Sequence, residues 1–116
     1  MSDERPDAWV IIEVVAPSIG TIRRLLCSYY GGYLGADSWR MSSGVVSTEL
    51  VDNYYNVSNQ SGSVYTIAKG PGCYRMSGLA SGVWANTLKA AENSEDVKVR
   101  LYDYEEAISY LESVRV

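Results

Sequence analysis

Residues 45–68 read Val-Val-Ser-Thr-Glu-Leu-Val-Asp-Asn-Tyr-Tyr-Asn-Val-Ser-Asn-Gln-Ser-Gly-Ser-Val-Tyr-Thr-Ile-Ala, and they decide the fold class. Val45–Val51 is extended and rich in β-branched residues, and Asp52-Asn53 is a tight-turn signal that joins it to a second strand, Tyr54–Ser58. Asn59-Gln60-Ser61-Gly62 makes the next turn, and Ser63–Ala68 is a third strand with Val64, Thr66 and Ala68 opposite Ser63, Tyr65 and Ile67. Turns this closely spaced mark an antiparallel meander.

C-terminal to the meander, Lys69-Gly70-Pro71-Gly72 is a firm break. Cys73–Met76 is a candidate short strand, Ser77–Ser81 reads as loop, and Gly82–Ala91 has helical spacing at Val83, Thr87, Leu88 and Ala91. Val97–Tyr102 alternates, with Val97, Val99 and Leu101 on one face. Asp103 then caps a helix, Glu106 completes a capping box, and Tyr104, Ala107, Ile108, Leu111 and Val114 form the apolar stripe. On the N-terminal side, Ser42-Ser43-Gly44 is a bulge or turn, and Ser38–Met41 is a short strand with Trp39 and Met41 on one face. Thr21–Tyr30 admits two periods: Ile22, Leu25, Leu26 and Tyr29 fit a helical stripe, yet the segment also alternates, and the hairpins that follow favour a strand. Ala8–Val15 is short and β-branched, as in a central strand. The expected product is an α+β domain over residues 8–116, after a disordered tail at 1–7. It has a five- or six-stranded, mostly antiparallel sheet, one or two helices on one face, and a tyrosine-rich, partly exposed other face.

Composition narrows the chemistry. At 116 residues the chain holds one core. It has ten tyrosines, three tryptophans and no phenylalanine, and a tyrosine ring is buried only where its hydroxyl finds a partner or water. A net charge of −4 argues against direct nucleic-acid binding, which rests on Lys and Arg at phosphates. There is no histidine, hence none of the commonest general base and metal ligand. Cys27 and Cys73 are too far apart for a local zinc pattern, and neither a signal sequence nor a membrane span is legible, so a cytoplasmic protein with reduced thiols and no cofactor is expected. Catalysis would fall to Cys27 or Cys73 as nucleophile, or to Asp37 and Glu49 as acid and base. No base accompanies either thiol and the carboxylates have no recognisable spacing, so the chain reads as non-enzymatic.

The densest candidate site is residues 29–44, which hold Tyr29, Tyr30, Tyr33, Asp37, Trp39 and Arg40 among glycines. Tyr, Trp and Arg are the residue types that dominate interface energetics. The structural alternative makes Trp39 core, Asp37 a turn cap, and Arg40 a partner of Asp37 or of a ring. Tyr30, Tyr33 and Arg40 are expected as partner-binding anchors, with Glu49 and Asp52 as peripheral acidic contacts that raise the association rate with a basic partner. A nucleotide between the tyrosines with Arg40 on phosphate, or a virion assembly role, are the alternatives. A free edge strand would make a homodimer easy. Asn59–Ser63 lacks the Gly-Lys-Ser/Thr of a P-loop and reads as a plain turn.

Gly31–Leu34, Asp37-Ser38-Trp39-Arg40, Ser43-Gly44, Tyr54-Tyr55, Ser61-Gly62-Ser63-Val64-Tyr65 and Cys73-Tyr74 together resemble a group of small uncharacterised proteins of tailed bacteriophages and prophages. The resemblance covers roughly residues 21–77. It implies a phage or prophage origin. Small phage proteins of this build often engage one host protein, including antiviral-defence components such as CRISPR effector complexes, and by analogy of size, charge and implied origin the same is expected of this chain. The basic or cysteine-rich stretch that sometimes follows Ser-Gly-Ser-x-Tyr is here Thr66–Gly72, with a single lysine, so no metal site is carried over.

Overall fold

A computed structural model of the chain describes residues 3–31 and 35–116. The elements are β1 (Asp3–Glu4), β2 (Ala8–Ala16), β3 (Gly20–Tyr29), β4 (Ser38–Met41), β5 (Val45–Val51), β6 (Tyr54–Asn59), β7 (Val64–Ala68), α1 (Gly78–Glu92), β8 (Lys98–Leu101) and α2 (Tyr104–Ser113). The fold is α+β and the β5–β6–β7 meander forms as read, with Asp52 at φ +54 in the first turn.

Among the described residues the strands do not make the single sheet of five or six that was expected; they divide into two four-stranded sheets. The inner sheet has the order β4-β3-β2-β8 and is antiparallel throughout. The outer sheet has the order β1-β7-β6-β5, antiparallel except that β1 joins β7 in parallel. The cause lies in β2. Trp9 and Ile11 project from one face and Val10 and Ile12 from the other, and all four are buried. A strand apolar on both faces needs cover on both. Tyr55, Val57, Tyr65 and Ile67 of the outer sheet cover Trp9, Ile11, Leu25 and Cys27, with Ala107 and Leu111 of α2 completing that core. On the opposite face α1 covers Val10, Ile12 and Leu26 with Ala80, Val83 and Trp84.

Three further expectations change. Residues 1–7 are not wholly a free tail: Asp3 and Glu4 pair with Val64 and Tyr65 at the edge of the outer sheet. The helix expected at Gly82 starts at Gly78, where the Ser77 side chain accepts the Ala80 N–H at 3.1 Å and its own N–H reaches Ser28 Oγ at 3.0 Å. Cys73–Met76 is not a strand but the end of a 3-10 turn at Pro71–Cys73 followed by a single bridge from Tyr74 to Trp9.

α2 follows its sequence closely. Asp103 Oδ1 accepts the Glu106 N–H at 2.8 Å, Glu106 Oε1 accepts the Asp103 N–H at 3.1 Å, and Glu106 Oε2 holds Arg100 at 2.6 Å. Asp103→Ala should cost about 1 kcal/mol of stability, because it orphans a first-turn N–H. A shift in the urea midpoint with unchanged slope is the readout.

Candidate functional site

The connection from β3 to β4 brings an aromatic and cationic group to the edge of the inner sheet. Gly31 (φ +59) and Gly35 (φ +74) carry left-handed backbone that other residues resist, and Asp37 Oδ1 accepts the Gly31 N–H at 3.0 Å. Asp37 is thus a loop cap. Asp7 Oδ2 accepts the Tyr30 N–H at 2.8 Å, which fixes the backbone beneath that ring. The Arg75 guanidinium lies 5.2 Å from the Tyr30 ring centroid, within cation–π range.

Trp39 is not core. It pairs with Ser28 on the edge strand β4 and stands 41% exposed, on the α1 side of the sheet. Leu79, in the first turn of α1, is likewise exposed. Arg40 points to the other side, in register with Cys27, and its Nε meets Glu4 Oε1 at 2.9 Å. The Tyr29 hydroxyl donates to the same oxygen at 3.0 Å. Arg40 therefore ties the inner sheet to β1 of the outer sheet, where the structural alternative pairs it with Asp37 or a ring. Tyr33 lies outside the described residues.

Glu49 and Asp52 do not join this group. Glu49 pairs with Asn56 on the outward face of the outer sheet, and Asp52 lies in the turn at its end. β1 stands between the two surfaces: Glu4 turns to Arg40 and Tyr29, while Arg5 lines the cavities that contain Glu49 and Asp52. The expected single footprint is therefore two surfaces.

No family model, curated protein or solved structure matches the chain. Geometry and chemistry carry the functional reading.

The outward face of the outer sheet holds residues that reading along the sequence missed. A cavity of about 420 Å³ is lined by Arg5, Ser47, Glu49, Asn56, Ser58 and Thr66, among others. A second hollow of about 230 Å³ shares Arg5, Asn56 and Thr66 with it and adds Val51, Asp52 and Tyr54. The signal was the alternation itself: Tyr54, Asn56 and Ser58 occupy every second position of β6, opposite the buried Tyr55 and Val57.

Among the described residues the expected tyrosine-rich open face is not there, because most of their rings turn inward. Tyr55, Tyr65 and Tyr102 are buried, and several hydroxyls end on carboxylates: Tyr29 on Glu4, Tyr55 on Glu112, Tyr102 on Glu13. The Tyr74 hydroxyl accepts the Ile11 N–H at 3.0 Å and donates to Tyr102 O at 2.7 Å. Burial pushes Tyr74 up to about 12, partly offset by the Ile11 N–H. Burial first, then a neighbouring carboxylate, also raises Tyr55 and Tyr102. A phenol raised in the folded state keeps its full contribution below the unfolded value near 10 and loses it above. Stability should therefore hold from neutral pH to about pH 9 and fall steeply beyond pH 10, read as melting temperature against pH.

Cys27 is buried, and burial, followed by the Glu4 charge, raises its thiol well above the ordinary range. It is a core side chain in chemistry that favours the inert thiol. No helix among the described residues is long and apolar enough to cross a membrane.

Proposed function

We propose that this chain is a non-enzymatic binding protein of phage or prophage origin. It acts in the host cytoplasm by docking on one host protein and covering that protein's ligand site. The partner class is a nucleic-acid-binding component of antiviral defence, of CRISPR type. The observation that carries the reading is Trp39, a large apolar ring left 41% open on an edge strand instead of in the core. The Tyr30–Arg75 stack, just past the end of β3, adds a ring and a guanidinium of the kind that anchor interfaces. Arg40 adds a cation on the other side of the same short strand, and β4 has no strand beyond it among the described residues. The resemblance of residues 21–77 to small phage proteins supplies the origin, and the analogy of size and charge with small phage proteins that engage host defences supplies the partner class.

The nucleotide alternative has less to work with at this end. It needs Arg40 for a phosphate, and the Glu4 carboxylate 2.9 Å from that guanidinium repels one. The test is reconstitution. The chain is mixed with purified CRISPR-type effector complexes, and both co-migration on size exclusion and nucleic-acid binding by the effector are measured. A stoichiometric complex that has lost nucleic-acid binding is the expected result. Failure to recover any stoichiometric partner, with defence systems expressed in the host, would remove the reading.

A further inference from the structure

The geometry points to a second site on the outward face of the outer sheet: a groove that takes a short neutral oligosaccharide. The two hollows share Arg5, Asn56 and Thr66 in their linings, so they lie side by side on this face. Along β6 the outward positions Tyr54, Asn56 and Ser58 cover about 13 Å, given the rise of a strand. A footprint of that length suits a short chain of sugar rings.

Chemistry selects the ligand class. A sugar ring offers hydroxyls that each donate and accept, and an apolar C–H face. The groove answers with a guanidinium (Arg5), an amide (Asn56), hydroxyls (Ser47, Ser58, Thr66) and a carboxylate (Glu49). Tyr54, 48% exposed at one end, offers a ring face for stacking. Thr66 Oγ1 lies 2.7 Å from Asn56 Oδ1, which locks the amide and leaves its other end for a ligand. That preorganisation reduces the ordering cost of binding. Charge favours neither sign: Glu49 and Asp52 oppose a phosphate or an acidic sugar, and Arg5, common to both hollows, opposes a cation. A neutral polyol meets neither opposition.

The test is titration of the isotope-labelled full chain, followed by amide NMR. The probes are oligosaccharides of glucose, mannose, galactose and N-acetylglucosamine, with a uronic-acid oligomer as the charged control. Shifts confined to β5, β6 and β7 with at least one neutral probe are expected. Tyr54→Ala should weaken that binding about tenfold at unchanged melting temperature, Asn56→Ala by a similar factor, and Tyr54→Phe should keep most of it. Tyr54 is exposed, so its variants serve even where Asn56→Ala disturbs the sheet. Trp39→Ala should leave the titration untouched, which separates this site from the docking edge. The proposal is overturned by an unperturbed spectrum at millimolar neutral sugar, by tighter binding of the uronic-acid oligomer, or by loss of binding in Trp39→Ala.

Discussion

Trp9→Ala should lower the unfolding free energy by about 3–5 kcal/mol, the largest single-site effect in the molecule. Trp9 has no exposed surface and heads the larger core, where both sheets and α2 meet. Its ring meets Tyr74 edge-on with centroids 4.8 Å apart. Its Nε1–H donates to Ala68 O at 2.9 Å, a direct link from β2 of the inner sheet to β7 of the outer one. Removing the indole therefore empties a cavity between two layers that have little freedom to collapse, and strips the Ala68 carbonyl of its partner. Against a usual total of about 5–15 kcal/mol, that is enough to leave the domain marginal. Trp9→Phe divides the effect: it keeps much of the volume and loses the hydrogen bond, and should cost less than half as much. Equilibrium urea unfolding measures both. A loss below about 1 kcal/mol for Trp9→Ala would mean that the sheets do not close over this ring.

What sequence made legible here were the elements whose period is complete within a few residues. The meander and α2 declare themselves through alternation, turn chemistry and the Asp103–Glu106 box, all local. The division into two sheets was not local. It follows from Trp9, Val10, Ile11 and Ile12 all being buried, a demand for two covering layers that one or two helices on one face cannot meet. The tyrosines misled for a related reason. Their hydroxyl partners are remote in the chain, Glu4 for Tyr29, Glu13 for Tyr102 and Glu112 for Tyr55, so nothing beside each ring announced that it could be buried. Trp39 went the other way. Spacing placed it correctly on the face of Met41, yet spacing cannot tell an edge strand from a central one. Arg5 escaped notice because it lies in a segment read as a tail, and it became a groove residue only when β1 joined β7.

Trp39→Ala carries the second large effect, and on binding in place of folding. An exposed tryptophan at an interface centre is typically worth about 2 kcal/mol or more, so affinity for the docked partner should fall about thirtyfold. The same change should move the unfolding free energy by no more than about 0.5 kcal/mol, since the ring covers little of either core. Tyr30→Ala should follow the same split, with a smaller binding loss because Arg75 already covers part of its ring. Arg40→Ala separates contact from scaffold. Its ion pair with Glu4 is largely solvent-exposed on the Arg40 side, and such pairs contribute about 0–1 kcal/mol, so a large binding loss there with near-native stability assigns the guanidinium to the partner. Calorimetric titration against the reconstituted partner, run beside urea melts of the same preparations, gives both axes. If Trp39→Ala unfolds the domain, or leaves affinity within twofold of the parent, the edge of the inner sheet is not where the partner sits.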